Sequence, residues 1–326
     1  MKKHVLAFLM AGLMCGTMLA GCGSDSASSG EAGDTGEGAS SASGDTIKIG
    51  CSFDYLSDFM ANVTDGAKAA GADNGVEVTV QDAEWDVSKQ LQQVENFIAG
   101  GYDAVVIKPC DSEGCAPIAA ACEEAGIPLV LVNTNASCDY DTYVGSDHVL
   151  SGKLQMEYVA EKLGGKGKIA ILQGDLMNSA TIERTDGNEE IVAQYPDMEV
   201  VSKQEASWMR DEAMTKMENW LSSGIEIDAV VANNDEMALG AAMVLKEAGI
   251  DDILVCGIDA TVEALNALKD GTLSMTVFQN GYEQGYQGIV AALDILNGKT
   301  VEKFIEVPYE TVLPEQADEY LEIVGG

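Results

Sequence analysis

The sequence predicts an α/β protein with two lobes of parallel sheet, and three observations support this class. From Ile47 onward, short unbroken apolar runs alternate with helical patterns, as is typical of strands buried on both faces of a parallel sheet. The chain of 326 residues exceeds the size at which one core usually keeps growing. Finally, residues 102–106 (YDAVV) are echoed at 227–231 (IDAVV), and 124–127 (EAGI) return at 247–250, which indicates one supersecondary plan used twice.

The apolar runs predict the strands of both lobes. They cover residues 47–53, 76–80, 104–107, 129–132, 169–172, 229–232 and 254–255. Between them, residues 59–70 and 237–248 carry apolar side chains at helical spacing, so each segment is expected to pack one helical face on a sheet. Short joints such as Gly100-Gly101 and Gly126-Ile127-Pro128 separate the elements.

The charge balance and the scarcity of histidine exclude several functions. The chain has 18 Lys and Arg against 54 Asp and Glu, for a formal charge of −36, so no basic face for a nucleic acid is expected. His4 and His148 are the two histidines, which is too few for a multi-histidine metal site. No G-x-S-x-G motif accompanies His148. We therefore expect no metal, no cofactor and no enzymatic activity.

The N-terminus has the features of an export signal. Lys2 and Lys3 precede an apolar run at residues 5–20, which is shorter than the roughly 20 residues that a membrane span needs. The run ends in Leu-Ala-Gly-Cys at residues 19–22, which resembles the lipobox of bacterial lipoproteins. This resemblance implies a signal peptide at 1–21, a lipid-modified Cys22 and attachment to the outer face of the cytoplasmic membrane. Residues 22–45 are rich in Ser and Gly and predict a disordered tether.

Polar and aromatic residues follow the predicted strands. In open parallel sheets, residues just past the strand carboxyl ends line the ligand crevice. Amides, carboxylates, one guanidinium and aromatic rings suit a neutral polyhydroxylated ligand, because each hydroxyl donates and accepts while a ring C–H face stacks on an aromatic. The candidates are Ser57, Phe59, Met60, Asn133, Thr134, Arg184, Trp208, Asn234, Asp259 and Gln279. Taken alone, Asn234 or Asp259 also suits a helix N-cap.

Two segments resemble a known family. ANNDEMALGA at residues 232–241, and GIDA at 257–260 with EAL at 263–265, resemble signature segments of type I periplasmic sugar-binding proteins, the ribose and glucose/galactose group. The resemblance implies the type I periplasmic-binding-protein fold, with two Rossmann-like lobes joined by a three-segment hinge. We expect an N-terminal lobe of residues 46–147 and 280–308, a C-terminal lobe of 148–279 and 309–326, and closure about Asp147, Gln279 and Pro308.

The same resemblance assigns roles to the candidate residues. Phe59 and Trp208 match the aromatics that sandwich the sugar ring, and Arg184 matches the arginine that contacts ring or hydroxyl oxygens. Ser57 and Met60 flank the first aromatic, and the matches to polar contacts are Asn234, Asp259 and Gln279. The implied ligand is a monosaccharide or cyclic polyol (hexose, pentose or inositol), delivered by a monomeric protein to the permease of an ABC importer. A sensory receptor or a lipoprotein hydrolase are the alternatives. Asn133-Thr134 stand where ribose-type members carry Asp-Arg, so the identity of the sugar stays open.

The remaining cysteines and tryptophans carry weaker predictions. Cys51 and Cys256 fall within predicted strands and are expected to be buried. One or two disulfides are possible in an exported protein, and their pairing is open. The candidates are Cys110, Cys115, Cys122 and Cys138. Trp85 and Trp220 are expected on the outer surfaces of the lobes.

Overall fold

A computed structural model describes residues 46–325 of the protein. The predicted signal peptide, the lipidation site Cys22 and the tether lie outside these residues. Within them, no helix combines the length and the apolar character that crossing a membrane requires. The predicted α/β class with parallel sheets is confirmed.

Strands and helices alternate through most of the described chain. The first part contains β1 (Lys48–Phe53), α1 (Asp58–Asn74), β2 (Glu77–Asp82), α2 (Val87–Ala99), β3 (Ala104–Lys108), α3 (Ala116–Ala125), β4 (Leu129–Asn133), β5 (Thr142–Gly145) and α4 (His148–Lys162). The second part contains β6 (Lys166–Gln173), α5 (Ser179–Val192), β7 (Asp197–Glu205), α6 (Arg210–Ser223), β8 (Ala229–Ala232), α7 (Asp235–Ala248), β9 (Leu254–Cys256), α8 (Val262–Lys269), β10 (Thr276–Gln279), α9 (Gly281–Leu296), β11 (Phe304–Glu306), β12 (Tyr309–Val312) and α10 (Ala317–Val324).

The first sheet has six parallel strands in the order β11-β5-β4-β3-β1-β2. Helices α1 and α9 pack on one face, where Val63 and Ile289 join a core with strand residues such as Ile49. Helices α2 and α3 pack on the other face through Phe97 and Ile118. Because both faces are covered, the central strands are mainly apolar, as the sequence pattern indicated.

The second sheet has four parallel strands in the order β7-β6-β8-β9. An antiparallel pair, β10 with β12, adjoins β9 through bridges from Cys256 to Met275 and from Asp259 to Phe278. Helices α6, α7, α8 and α10 contribute to the core on one face, and α4 and α5 to the core on the other. The carboxyl ends of β6 and β8 lead into the loops that carry polar and aromatic side chains.

The chain passes between the two sheets three times. The crossings lie between β5 and α4, between β10 and α9, and between β11 and β12. Hydrogen bonds hold two of them side by side: Ser146 Oγ donates to Val307 O at 2.5 Å, and Val307 N donates to Gly145 O at 2.7 Å. Gln284 Nε2, from α9 directly after the crossing that follows β10, donates to Ser146 Oγ at 2.9 Å. The crossings therefore form one bundle beside the strand ends.

The cysteines are all buried or bridged among the described residues. Cys115 and Cys138 form a disulfide with a Cα–Cα distance of 5.8 Å, so the open pairing is resolved with one bridge. Cys110 and Cys122 are free and buried. The prediction that the two strand cysteines are buried is confirmed.

Both tryptophans that were expected on outer surfaces lie elsewhere. The expectation for Trp220 is wrong, because its side chain is 6 % exposed in the core of the second lobe and its indole N–H donates to Ser202 Oγ at 3.0 Å. The expectation for Trp85 is also wrong. Its ring stacks on Tyr55 at a centroid distance of 4.0 Å beside the cleft between the sheets.

Candidate ligand-binding cleft

The ten residues singled out from the sequence line one cleft. This cleft has a volume of about 420 Å³ and lies where the carboxyl ends of the two sheets face each other. Its walls include Ser57, Phe59, Met60, Asn133, Thr134, Arg184, Trp208, Asn234, Asp259 and Gln279. The structure therefore brings all ten together, while their contact with a ligand stays a prediction.

Arg184 is held by hydrogen bonds from three segments of the second part of the chain. It is 3 % exposed and extends from α5. Its Nη2 donates to Gln279 Oε1 at 2.8 Å and to Tyr309 Oη at 2.9 Å, and its Nη1 donates to Asn233 O. These partners come from β10, β12 and the loop after β8, so the guanidinium is fixed before any ligand arrives.

Asp259 faces Arg184 across the same wall. Its Oδ1 lies 4.0 Å from Arg184 Nη1. Burial raises the pKa of Asp259 well above its usual value, and the nearby guanidinium opposes that shift. A ligand hydroxyl that donates to this carboxylate would replace the hydration that burial removes.

Two buried donors of the cleft have no hydrogen-bond partner among residues 46–325. They are Arg184 Nε and Gln279 Nε2. Because an unpaired buried donor costs about 1–3 kcal/mol, native proteins rarely leave such groups unbonded. Both side chains line the cleft, but the two nitrogen atoms themselves are shielded from solvent, so a ligand reaches them only if the wall rearranges.

A buried relay connects Arg184 to the opposite sheet. Tyr309 Oη, which accepts from the guanidinium, lies 2.7 Å from His148 Nδ1, and His148 Nε2 lies 2.8 Å from Asn133 O. Burial, followed by the positive charge of Arg184, lowers the pKa of His148 to about 3. The imidazole is therefore neutral at pH 7, so it accepts from Tyr309 and donates to the Asn133 carbonyl. The relay positions the cleft residue Asn133 and involves no reaction.

Phe59 and Trp208 supply half-buried aromatic faces, one from each lobe. The Arg184 guanidinium lies 5.7 Å from the centre of the Trp208 ring. Gly174 packs against the same indole: a Cβ at position 174 would come within 2.2 Å of Trp208 Cε2. The close approach therefore requires glycine and fixes where the indole stands.

Several cleft residues also cap helices. Ser57 Oγ accepts from Met60 N at 3.3 Å at the start of α1. Asn234 Oδ1 accepts from Met237 N at 3.0 Å at the start of α7, and its Nδ2 donates to Trp208 O at 3.3 Å. Both atoms of the Asn234 amide are thus engaged within the protein. Its role in the cleft is to hold the Trp208 loop as well as to line the wall.

Further residues that line the cleft were not among the ten candidates, and four of them form two close pairs. An ion pair joins Lys108 to Asp54, and the stacked rings of Tyr55 and Trp85 lie beside it. A signal for the ion pair was available: Lys108 ends an apolar run, Asp54 directly follows another, and adjacent parallel strands bring such ends together. The register confirms this, since Phe53 is opposite Lys108.

The rim of the cleft is acidic. Asp58 and Asp211 line it, and Arg210 is bound by Glu236 at 2.8 Å and Glu263 at 2.7 Å. Within residues 46–325, no group of three or more His, Cys, Asp or Glu side chains could hold a metal ion.

Comparisons with known proteins agree on one family. The sequence model described as "Periplasmic binding protein domain" matches residues 49–300. A xylitol-binding protein of Mycolicibacterium smegmatis is 39 % identical over 268 residues, covering 82 % of this chain and 77 % of its own. A ribose import binding protein of Bacillus subtilis is 38 % identical over 262 residues, covering 80 % of this chain and 85 % of its own.

A solved structure gives the same result at the level of the fold. An ABC transporter solute-binding protein from Bacillus halodurans with bound myo-inositol superposes with a TM-score of 0.82 and 43 % identity. The match covers 84 % of this chain and 97 % of that chain. The type I periplasmic-binding-protein fold, expected from the resemblance of residues 232–241 and 257–260, is thereby confirmed.

Proposed function

Because the chain belongs to the periplasmic-binding-protein family, whose members are solute-binding proteins and not enzymes, we propose that it captures a monosaccharide or cyclic polyol in the cleft and delivers it to an ABC importer. The observation that carries this proposal is the mixture of groups that line the cleft. The Arg184 guanidinium and the Gln279 amide are donors, and the Asp259 carboxyl group, 4.0 Å from Arg184, is an acceptor. Hydroxyl groups, which donate and accept, satisfy both kinds of group.

The ligands named for relatives favour a sugar or polyol. Xylitol, ribose and myo-inositol are named for three similar proteins, and all three carry several hydroxyl groups. Asn133-Thr134 replace the Asp-Arg pair that ribose-type members carry, which supports a polyol such as an inositol over ribose. The half-buried faces of Phe59 and Trp208 suit the C–H surface of a six-membered ring.

The proposed location follows from the family and from the N-terminus. The family is extracytoplasmic, and Leu-Ala-Gly-Cys at residues 19–22 resembles a lipobox. We propose that residues 1–21 are removed, that Cys22 carries the lipid, and that residues 22–45 tether a monomeric binding domain to the membrane near its permease. Cys22→Ala tests the anchor: we expect an unprocessed or shed protein, and normal processing with full membrane retention would contradict it.

Closure of two lobes about the three crossings is also part of the proposal. We assign residues 46–147 and 280–308 to one lobe and 148–279 and 309–326 to the other. Hydrogen bonds across the edge of the cleft support a closed form: Ser112 N donates to Met177 O at 3.0 Å, and Ser179 N donates to Ser112 Oγ at 2.9 Å. Ligand should favour this form, because both lobes line the cleft.

A thermal-unfolding screen tests the function. The chain is heated with pentoses, hexoses, inositols, acyclic polyols and sugar acids, each at a series of concentrations. A ligand present at 100 times its Kd adds about 2.7 kcal/mol to the free energy of unfolding, so a neutral sugar or polyol should raise the Tm. Stabilisation by an unrelated class of solute alone would refute the proposal.

A further inference from the structure

The floor of the cleft carries a buried ion pair that the proposed aromatic and arginine contacts do not involve. Asp54 directly follows β1, and Lys108 is the last residue of β3, the neighbouring strand. The two residues are 3 % and 8 % exposed, respectively, and both line the cleft. Charged residues are almost never this buried unless they are paired, and here the pair faces a cavity.

The surrounding structure holds this pair in place. Gln90 Nε2, from α2, donates to Lys108 O at 2.8 Å and to Ser52 O at 3.2 Å, which fixes the ends of β3 and β1 relative to each other. Trp85 N donates to Asp54 O at 2.7 Å. The Trp85 ring then stacks on Tyr55, next to the ion pair. The pair is thus positioned by hydrogen bonds from α2 and from the loop that follows β2.

Much of the hydrogen-bonding capacity of the pair is unused. Lys108 Nζ carries three protons, and Asp54 Oδ2 is its one hydrogen-bond partner within residues 46–325. Asp54 Oδ1 accepts from Tyr55 N at 2.7 Å, and its remaining lone pairs are free within the same residues. A buried ion pair repays its desolvation only when further hydrogen bonds complete it. A hydroxyl group in the cleft would do so.

The pair also balances the charge of the cleft. The lobe that carries Arg184 contributes one guanidinium and the Asp259 carboxylate, and the opposite lobe contributes the Lys108 ammonium and the Asp54 carboxylate. Each of these two pairs is neutral as a whole, and the other acidic residues of the cleft lie at its rim. A ligand with a net charge would leave an uncompensated charge in a buried site, which is costly.

We propose that the Asp54–Lys108 pair is a specificity-determining element: Lys108 donates to one hydroxyl of a neutral polyol, Asp54 accepts from it or from the adjacent hydroxyl, and the pair excludes anionic sugars. This inference rests on the proposed function and names the part of the cleft that distinguishes polyols from sugar acids. A ring oxygen or an aliphatic carbon at this position satisfies one member of the pair at most, whereas a hydroxyl satisfies both.

Calorimetric titration with myo-inositol, xylitol and D-glucuronate tests the inference. Asp54→Asn should weaken binding of the neutral polyol by roughly 10- to 100-fold, as loss of a hydrogen bond to a charged group does. The substitution leaves Lys108 without its counter-charge. The variant should therefore bind D-glucuronate roughly tenfold more tightly than the wild-type chain does. The control is Lys203→Met with Glu189→Leu, which removes an ion pair of 2.6 Å on the surface of the second lobe and should change neither affinity.

A double variant separates ligand binding from folding. Asp54→Leu with Lys108→Met removes both charges, and replacing a buried pair by apolar groups is often neutral or stabilising for the fold. The folded double variant should still bind the polyol roughly 10- to 100-fold more weakly than the wild type. Two outcomes would overturn the inference but not the proposed function. They are wild-type affinity in the double variant, and unchanged discrimination against D-glucuronate in Asp54→Asn. Failure of the wild-type chain to bind any neutral sugar or polyol would instead overturn the proposed function.

Discussion

Protonation of His148 should couple the stability of the fold to pH. The imidazole is buried between Tyr309 and Asn133, and its pKa is lowered to about 3, chiefly by burial and then by Arg184. In the unfolded chain the pKa of a histidine is about 6.5. Between these two values the unfolded chain binds a proton that the folded chain excludes. The folded state therefore loses stability as the pH falls below about 6.5.

The size of the effect follows from this difference in pKa. Each pH unit inside the window changes the free energy of unfolding by about 1.4 kcal/mol. Since the window opens near pH 6.5, the contribution of His148 should decrease by about 2 kcal/mol between pH 7 and pH 5. Asp235, whose pKa burial raises to about 6, also titrates in this range, so the contribution of His148 is taken as the difference between the wild type and a variant that lacks the imidazole.

The assay is urea unfolding at pH 7 and pH 5, with His148→Gln as the comparison. The glutamine retains one donor and one acceptor but has no charge to gain. We expect the variant to be less stable at pH 7 because the packing of the ring is lost, and to lose about 2 kcal/mol less than the wild type on acidification. Parallel pH dependence in the two proteins would refute the argument that His148 is held neutral.

The remaining predictions concern a buried aspartate, the disulfide and the aromatic side chain that Trp208 contributes to the cleft. Burial raises the pKa of Asp235 to about 6, so the folded chain gains stability as the pH falls from 6 to 4, and Asp235→Asn should lose that gain in urea unfolding. Cys115→Ser with Cys138→Ser opens a bridge spanning 23 residues and should lower the free energy of unfolding by about 3 kcal/mol. Trp208→Ala should weaken ligand binding by about 2–4 kcal/mol, measured by calorimetry.

Each of these three predictions has a control measurement. Asp270→Asn removes a carboxylate whose pKa is lowered by its hydrogen bonds to Thr272. The free energy of unfolding of this variant should therefore fall less steeply on acidification than that of the wild type, which is the opposite of the change expected for Asp235→Asn. Reducing agent should destabilise the wild type but not the cysteine double variant. Trp220→Phe alters a core indole and should lower the Tm with unchanged affinity. If Trp208→Ala instead lowers the Tm and leaves the Kd unchanged, Trp208 is a core residue and not a ligand contact.

Much of the sheet architecture was predictable because buried parallel strands have a distinct sequence pattern. The runs at 47–53, 104–107, 129–132 and 229–232 match β1, β3, β4 and β8, all of which are covered on both faces. Strands β5, β7, β10, β11 and β12 were not predicted. Strand β7 is a partly exposed edge with polar residues at 202–205, and the others have three or four residues. Neither kind produces a long apolar run.

The cleft was predictable where single residues follow strands, and less so where two distant segments meet. Trp220 could have been placed correctly, because Ala213, Met217 and Trp220 fall at helical spacing on α6. The position of Trp85 depends on a loop with a positive φ of 56° that turns its ring toward Tyr55, and no sequence pattern indicates that turn.

The disulfide and the ion pair also depend on contacts between distant segments, which no local sequence pattern indicates. Cys115 lies at the start of α3, and Cys138 lies in the loop after β4. Their spacing alone favours no pairing over the others; the packing of α3 and that loop on the first sheet determines it. Lys108 was overlooked because a lysine at the end of a strand is usually solvated. The adjacency of β1 and β3 in the sheet is what places it against Asp54.

Calorimetric titration of the wild-type chain with myo-inositol is the sharpest test of whether the cleft binds a neutral sugar or polyol. We expect one molecule bound per chain and a change in tryptophan fluorescence that is lost in Trp208→Ala. We also expect Arg184→Met to weaken the binding greatly, because Asp259 and Gln279 lose their partner. Binding with the same Kd in folded Arg184→Met and Trp208→Ala would place the site elsewhere and contradict the account. So would the absence of binding by myo-inositol and by every other neutral sugar or polyol of the screen.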